Sequence, residues 1–347
     1  METIQANRLP LITYRYLKSN DSPLLFKAPS RLAEVVFSDT AYVRAGGIWP
    51  SDYNGTAPEV TSASGQGKTY TIEIPGETEA NLVISINTDT DVPDFAGRFI
   101  FKLHKNSRLH LVWNSRGGKE EATVVISSFY ELEENSCLTV SSLEKGFEKT
   151  SFYEERNILA GKEAKAHFVA AKMVGEKSIL HSYGKLSGDK SEINEGTVYA
   201  AGGTQHLDLF YHIDHVGKET KAQIDVKGSL SERSSKTFRG TLDFKRGCSG
   251  SVGDEGDYAI QLDPRTRNVS LPLLLCTEDN VIGNHASSSG QLDNQVIYFL
   301  MTRGFSLEEA RRIVVESLIR PLVDRMDESL QEDVLAIVRK KLEAEEA

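Results

Sequence analysis

The amino-acid sequence predicts an all-β core followed by a helical C-terminal region. Residues 76 to about 290 form a long series of short runs rich in β-branched and aromatic residues, separated by Gly, Asn, Asp, Ser or Lys. No helical periodicity interrupts these runs, whereas an apolar pattern typical of helices begins at Gln291. The chain therefore divides into a small α/β or irregular N-terminal segment (1–75), a β core (76–290) and a C-terminal helical domain (291–347).

The strand predictions depend on alternation of apolar and polar residues. Phe99, Phe101 and Leu103 alternate around Lys102, and Leu109, Leu111 and Trp113 follow with the same period. Similar runs are residues 122–129, 164–169, 196–200, 207–213, 222–226 and 237–244. A period of two predicts that one face of each strand is buried and the other faces solvent.

The length of the β region favours some architectures over others but does not select one. A sandwich, a large barrel and a β-solenoid all remain open. A sandwich domain holds about 100 residues, which is short for this region, whereas a solenoid extends turn by turn. The residues show no strict repeat, so periodicity alone does not select the solenoid.

Three helices are predicted after the β core. The first runs from Gln291 to Arg303 and ends at Gly304, which suits a left-handed position. Residues 306–309 form a capping box that starts the next helix, which is expected to end at Pro321. The last helix carries one apolar stripe: Leu330, Val334, Ile337, Val338 and Leu342. This tail is expected to cap the open end of the β stack or to offer an apolar surface to a partner.

Composition and charge exclude several classes of function. The 347-residue chain has a net charge of −10, which argues against binding to nucleic acid or to an anionic membrane. Neither a basic-then-apolar N-terminus nor a run of about 20 apolar residues is present, so a cytoplasmic protein is expected. The cysteines, Cys137, Cys248 and Cys276, are too few for a four-thiolate metal site and too widely spaced for a disulfide framework.

Two common catalytic motifs are absent from the sequence. There is no GxxxxGK[ST] phosphate-binding loop, so any ATP chemistry must belong to a partner. There is also no GxSxG nucleophile motif in a strand–turn–helix context.

Several segments of the second half resemble the SufB/SufD family of iron–sulfur cluster assembly proteins. These are residues 236–244 (KTFRGTLDF), 284–293 (NHASSSGQLD) and, most specifically, 295–310 (QVIYFLMTRGFSLEEA). His215 is similar to the second histidine of a paired-histidine strand in that family. The resemblance covers about residues 205 to 325.

The resemblance implies a right-handed parallel β-helix with terminal helical regions. It also implies that the chain pairs through its β-helix with a SufB-like paralogue, or with itself, and binds a SufC-like ABC ATPase through its C-terminal helices. Phe299, Phe305, Ala310, Ile313 and Leu318 are the candidate partner-binding residues. The expected function is a non-enzymatic accessory scaffold with no intrinsic cofactor, while a transient Fe–S cluster is built on the complex.

Two departures from the SufB pattern favour a SufD-like member. His285 is followed by Ala286, where SufB-like chains carry glutamate, and Gly256–Asp257 stands where they carry a cysteine before an aspartate. Cluster assembly needs thiolate or carboxylate ligands for iron. A SufB-like homodimeric scaffold and a β-helix carbohydrate-active enzyme, a polysaccharide lyase or hydrolase, are the alternatives.

His285 is the main candidate metal ligand, because it lies where SufD-like chains have an interface histidine and imidazole suits iron. A buried, hydrogen-bonded histidine is the competing interpretation. His215 and Cys276 are weaker candidates. The apolar neighbours of Cys276 predict an inert core thiol, whereas Cys248 is expected to be exposed in a turn.

One further set of polar residues has metal-ligand types. His206, Asp208, His212 and Asp214 lie at alternate positions of one predicted strand. A solvated polar strand face explains this spacing more simply than a metal site does.

Overall fold

The computed structural model describes residues 1–13, 16, 18–118, 120–173 and 175–344. Its N-terminal segment contains β1 (Glu2–Ala6), β2 (Ser22–Phe26), β3 (Val35–Phe37), β4 (Val43–Ala45) and helix α1 (Pro58–Ser64). β1 and β2 form an antiparallel pair. This pair packs on the outside of the β core, where Ile4, Phe26 and Val60 contact Val125 and Tyr153 in one apolar cluster.

The core is a parallel β-solenoid, as the resemblance implies. Its strands are β5 (Lys68–Ile74), β6 (Glu79–Ile86), β7 (Phe95–Leu103), β8 (Arg108–Arg116), β9 (Ala122–Leu132), β10 (Cys137–Lys145), β11 (Thr150–Ala160), β12 (Lys165–Lys172), β13 (Lys177–Leu186), β14 (Glu192–Ala201), β15 (His206–His215), β16 (Lys221–Leu230), β17 (Ser235–Phe244), β18 (Val252–Gln261), β19 (Arg267–Cys276) and β20 (Ile282–Gly290). Odd-numbered strands from β5 stack in one sheet and even-numbered strands from β6 in the other. Each turn contributes one strand to each sheet, which gives eight turns in the described part of the chain.

The two ends of the solenoid differ. At the first turn, the short strands β3 and β4 pair antiparallel with β6 and β5 and cover the end of each sheet. At the last turn, β19 and β20 are the outermost strands of their sheets. Very short strands are one way in which proteins protect the edge of a sheet. The first turn therefore has a protected edge and the last turn has an open one.

Three helices follow the last turn: α2 (Asn294–Thr302), α3 (Leu307–Val323) and α4 (Glu328–Ala344). The predicted capping box of Ser306 and Glu309 is present, and Gly304 has a positive φ of 95°. The end predicted at Pro321 is wrong, because α3 continues to Val323 with Pro321 in its last turn. The predicted stripe of α4 is confirmed: Leu330, Val334 and Val338 are fully buried.

Helices α3 and α4 lie along the side of the solenoid. Their apolar residues, among them Ile319, Leu322 and Val334, pack on Val169 and Val198 of the even-numbered sheet. The expectation that the tail caps the open end is therefore wrong for α3 and α4. They cover the outer face of β10, β14 and β16.

The prediction that one face of each strand meets solvent is also wrong for several strands. Nine of the ten residues of β15 are buried, because its inner face lies in the core and its outer face lies under the N-terminal segment. Long-range packing thus buries both faces of several strands, which local alternation does not reveal.

Candidate functional site

The last turn of the solenoid presents an unpaired strand. All nine residues of β20 are exposed, and its neighbour in the sheet is β18 on one side only. Backbone N–H and C=O groups along such an edge form a ready template for another chain. The open end is therefore the candidate binding surface of the β core.

His285 lies at the middle of this strand. It is the register partner of Glu255 on β18, and paired residues of parallel strands point to the same face. Glu255 faces the interior, since a Cβ on Gly240 of the opposite sheet would lie 2.3 Å from its Oε1 atom. His285 therefore stands directly above Glu255 at the open end.

Glu255 is an unusual interior residue. Its side chain is buried, and neither carboxylate oxygen has a hydrogen-bond partner among the described residues. Burial raises the pKa of Glu255 to about 8, and the nearby charge of Asp257 adds to this increase. An unpartnered buried carboxyl is costly for folding, so its presence beside His285 marks the site.

The interior of the solenoid at its open end contains other polar residues. Lys236 crosses from the opposite sheet to form a buried ion pair with Asp257 Oδ1. Burial lowers the pKa of Lys236, although Asp257 opposes that change. The second oxygen of Asp257 has no partner among the described residues, and the same holds for Asn268 Oδ1 and Ser270 Oγ of the last turn. The interior at this end is therefore polar and contains several polar atoms without a hydrogen-bond partner among the described residues.

Glu255, Asp257 and Lys236 were missed by the sequence reasoning. The two carboxylates are separated by two positions, which on a strand places them on one face. That spacing is a usable signal. It identifies a shared face but does not tell an interior face from an exterior one.

The two departures from the SufB pattern meet in space. Gly256 and Ala286 are register partners on neighbouring turns, on the face opposite to Glu255 and His285. They border a surface cavity of about 330 Å³ that also contacts Asp225, Lys227 and Tyr258. Lys227 pairs with Asp225 at 2.9 Å. At the two positions where the resemblance to SufB-like chains would lead one to expect a thiolate and a carboxylate, this chain has two small residues.

Both cysteine predictions are wrong. Cys276 is exposed, because it ends β19 and no further turn covers it, and its thiol donates to the Glu278 carbonyl at 2.9 Å. Cys248 is fully buried, because its turn folds inward onto the core. Burial also raises the pKa of the Cys248 thiol.

His215 lies inside the solenoid and away from the open surface. Its Nδ1 atom is 2.7 Å from Thr220 Oγ1, and its ring stacks on Phe244 at 4.4 Å. Burial lowers the pKa of His215 to about 4. In register, Phe244 separates His215 from Cys276, so the structure does not bring these two candidate ligands together.

The solvated face predicted for β15 is also wrong. Asp208 is fully buried, pairs with Arg239 at 2.7 Å and accepts a hydrogen bond from Asn7 at 2.8 Å. Arg239 in turn donates to the backbone carbonyl of Ser19 at 3.0 Å. The ion pair therefore anchors the N-terminal segment.

His212 and Asp214 lie farther along the same face. His212 Nε2 is 3.0 Å from Asp214 Oδ1, and both lie close enough to Asp243 to share a metal ion. Tyr183 donates to Asp214 at 2.6 Å, and the ammonium of Lys245 contacts both aspartates. Burial alone would raise the pKa of Asp214, but the hydrogen bonds from His212 and Tyr183 lower it to about 2. Lys245 offsets one of the two aspartate charges, and Tyr183 and His212 bond Asp214, so a network of ion pairs and hydrogen bonds accounts for this cluster.

The candidate partner-binding residues fall into two groups. Phe299 and Phe305 are exposed, by 54% and 41%, as are four other apolar residues on or close to α2: Val296, Tyr298, Met301 and Leu307. Ile313 and Leu318 are half-buried on α3, and Ala310 is fully buried. We call the six exposed residues on or close to α2 the α2 patch: Val296, Tyr298, Phe299, Met301, Phe305 and Leu307. Ala310 contributes packing beneath the helix rather than contact surface.

Among the described helices, none combines the length and the hydropathy that a bilayer span requires.

The fold and this end define a β-solenoid scaffold with a polar, unpaired last turn. The family model described as "SUF system FeS cluster assembly, SufBD core domain" matches residues 86–318, more than half of the chain. The chain therefore belongs to the SufBD family of iron–sulfur cluster assembly proteins.

Relatives support the same assignment. The iron–sulfur cluster assembly protein SufD of Bacillus subtilis is 26% identical over 194 residues, which cover 56% of this chain and 44% of that protein. A SufBD family protein of Mycobacterium leprae is 25% identical over 176 residues, 48% of this chain and 45% of that one. SufB of Bacillus subtilis is 26% identical over 131 residues, 38% and 28% of the two chains. The chain thus spans less than half the length of these curated relatives.

Proposed function

We propose that this protein is an accessory scaffold subunit of a Suf-type iron–sulfur cluster assembly complex. It pairs through the open end of its β-helix with a SufB-like subunit or with a second copy of itself. The observation that carries this proposal is the fully exposed, unpaired strand β20 at the end of a protected solenoid. An edge of this kind gains backbone hydrogen bonds when another strand is added.

The accessory, SufD-like role is supported by the chemistry of the outer face. Gly256 and Ala286 supply neither thiolate nor carboxylate where SufB-like chains have both. A cluster built at this end would therefore take most of its ligands from the partner, while His285 contributes an imidazole. Family membership and the similarity to a protein named SufD agree with this role.

The α2 patch is the proposed docking surface for a SufC-like ATPase. Four aromatic or methionine side chains, Tyr298, Phe299, Met301 and Phe305, are at least 41% exposed within a short segment. Residues of these types are enriched at protein interfaces. Because the chain lacks a phosphate-binding loop, ATP hydrolysis belongs to that partner. The scaffold itself acts in the cytoplasm, catalyses no reaction and holds no resident cofactor, and the Fe–S cluster is cargo of the complex.

Co-expression with the SufC-like ATPase and the SufB-like paralogue of the same host tests this function. Size-exclusion chromatography should show co-elution of all three chains. Removing residues 291–347 is a poor way to locate docking, because it would expose the apolar face that α3 and α4 cover. Point variants of the patch avoid that problem.

The decisive variant replaces Tyr298 and Phe299 by serine, with Ile48→Ser as its control. All three side chains are exposed, Ile48 by 95%, and Ile48 lies in the N-terminal segment. The double variant should lose the ATPase but keep the SufB-like chain, and Ile48→Ser should keep both. If the wild-type chain elutes alone while the other two associate, the proposed function is wrong.

A further inference from the structure

The interior of the last two turns holds an acidic group that the fold leaves without a counter-charge. Glu255 is 3% exposed, and both of its oxygens lack a hydrogen-bond partner among the described residues. Lys236, a buried cation nearby, is bound to Asp257 Oδ1. The described residues therefore place no positive group on Glu255.

Comparable interior charges elsewhere are paired. Arg156 Nη1 forms an ion pair with Glu195 Oε2 at 2.9 Å, and Lys172 Nζ forms one with Glu144 Oε1 at 2.9 Å. These pairs show that this solenoid tolerates buried carboxylates when a cation neutralises them. Glu255 differs because the position next to it along the solenoid axis is His285, on a strand whose nine residues are all exposed.

The arrangement fits a metal cation. Adjacent strands lie about 4.8 Å apart, so side chains at paired positions reach a common point above the sheet. Carboxylate oxygen and imidazole nitrogen together suit first-row divalent metals such as Fe²⁺, Mn²⁺ and Co²⁺. Asp257, two positions along on the same face, has one oxygen without a hydrogen-bond partner among the described residues and adds negative potential.

We propose that Glu255 and His285 together bind a divalent first-row metal cation at the open end of the solenoid. This extends the candidate ligand His285 by a second ligand from the preceding turn, and it rests on the proposed role in iron–sulfur assembly. The cation enters from the open end and neutralises the interior carboxylate. The site belongs to one chain and needs no partner residue to form.

The test measures binding of Mn²⁺ to the purified full-length chain by equilibrium dialysis and electron paramagnetic resonance. Glu255→Gln keeps the shape of the side chain and removes its charge. Asp254→Asn is the matched control, because Asp254 is the neighbouring carboxylate on the same strand and is exposed on the opposite face. We expect Glu255→Gln to weaken binding by at least about tenfold, since even indirect losses at metal sites cost that much.

His285→Ala should weaken binding to a similar extent, and Asp254→Asn should leave it unchanged. A wild-type chain that does not retain Mn²⁺, or equal affinity in wild type and Glu255→Gln, would overturn the inference. Loss in Asp254→Asn alone would place the ion in the outer cavity and would also overturn it. Circular dichroism checks that each variant is folded.

The result is separable from the proposed function. Metal binding is measured on the isolated chain, whereas complex formation is measured by co-elution. Glu255→Gln should still co-elute with the partners, because its side chain is interior and contributes no surface to the edge of β20. A negative result for metal binding therefore does not decide whether the chain forms the complex, and a negative result for co-elution does not decide whether it binds metal.

Discussion

Replacing Glu255 by glutamine should make the metal-free protein more stable at neutral pH. The folded protein holds the Glu255 proton up to about pH 8, whereas the unfolded chain releases it near pH 4.5. Between these values the folded state binds more protons than the unfolded state. The contribution of this group to the free energy of unfolding is therefore complete below pH 4.5 and falls as the pH rises toward 8.

The size of the effect follows from the pKa difference. Each unit is equivalent to about 1.4 kcal/mol, so three pH units above the unfolded value cost at most about 4 kcal/mol. Relaxation of the surroundings reduces this, and on the order of 2–4 kcal/mol is expected at pH 7.5. Glutamine cannot ionise, so the variant should not lose stability in this window through position 255.

Urea denaturation at pH 5.5, 6.5 and 7.5, with a chelator present, measures the difference directly. The stability gap between Glu255→Gln and wild type should widen with pH, while Asp254→Asn should show no such trend. A gap that stays constant across the three values would refute the reasoning, because it would mean that Glu255 is ionised in the folded protein at pH 5.5. A constant offset alone would report only the change in hydrogen bonding.

Three other perturbations have defined outcomes. Leu322→Ala should lower the free energy of unfolding by about 2–5 kcal/mol, because Leu322 is 1% exposed between α3 and the solenoid. The control Leu307→Ala, at a 42% exposed position, should change the free energy of unfolding by less than about 0.5 kcal/mol in a urea titration. Arg239→Met leaves Asp208 buried without its cation and should lower the free energy of unfolding by about 3–5 kcal/mol. Limited proteolysis should then cut the N-terminal segment faster, and unchanged cleavage would contradict the role of Arg239 as an anchor of that segment. The pKa of His181 is lowered to about 3 by burial, so its stabilising contribution is complete above pH 6.5 and is lost as the pH falls. His181→Phe should therefore weaken the dependence of the melting temperature on pH between pH 6.5 and 5. An unaltered dependence would exclude His181 as its source.

The β core could be predicted from the sequence because its strands carry strong local signals. The solenoid was not predictable from periodicity, although a repeat exists in the turns. Six turns place a non-glycine residue at positive φ, followed at once by a small residue: Glu77–Thr78, Asn106–Ser107, Asn135–Ser136, Glu163–Ala164, Lys190–Ser191 and Glu219–Thr220. These turns recur every 27 to 29 residues, but the residue types change, so the backbone conformation repeats although the amino-acid sequence does not.

Burial of the outer faces could not be predicted from the strands themselves. Asp208 is buried because Arg239 and Asn7, both distant in sequence, complete its hydrogen bonds. A histidine-rich, acidic strand therefore has the composition of a solvated face and the environment of a core. The same long-range cause underlies both cysteine errors, because only the position of the last turn decides which thiol is covered.

The candidate site was predictable in part. The resemblance identified His285, and the structure places it on the open edge above Glu255. Nothing local distinguishes Glu255 from its neighbour Asp254, since both are acidic residues on one strand. Only the stacking of the turns separates an interior carboxylate from a hydrated one.

The unequal ends of the solenoid set a limit on assembly size. A stack of strands with two open edges would add further copies without end, as fibres do. Here the antiparallel strands β3 and β4 cover the first turn, and the proposed pairing uses the last turn. If chains pair through the open end as proposed, association along the axis should stop at two chains, whether the second is a paralogue or an identical copy.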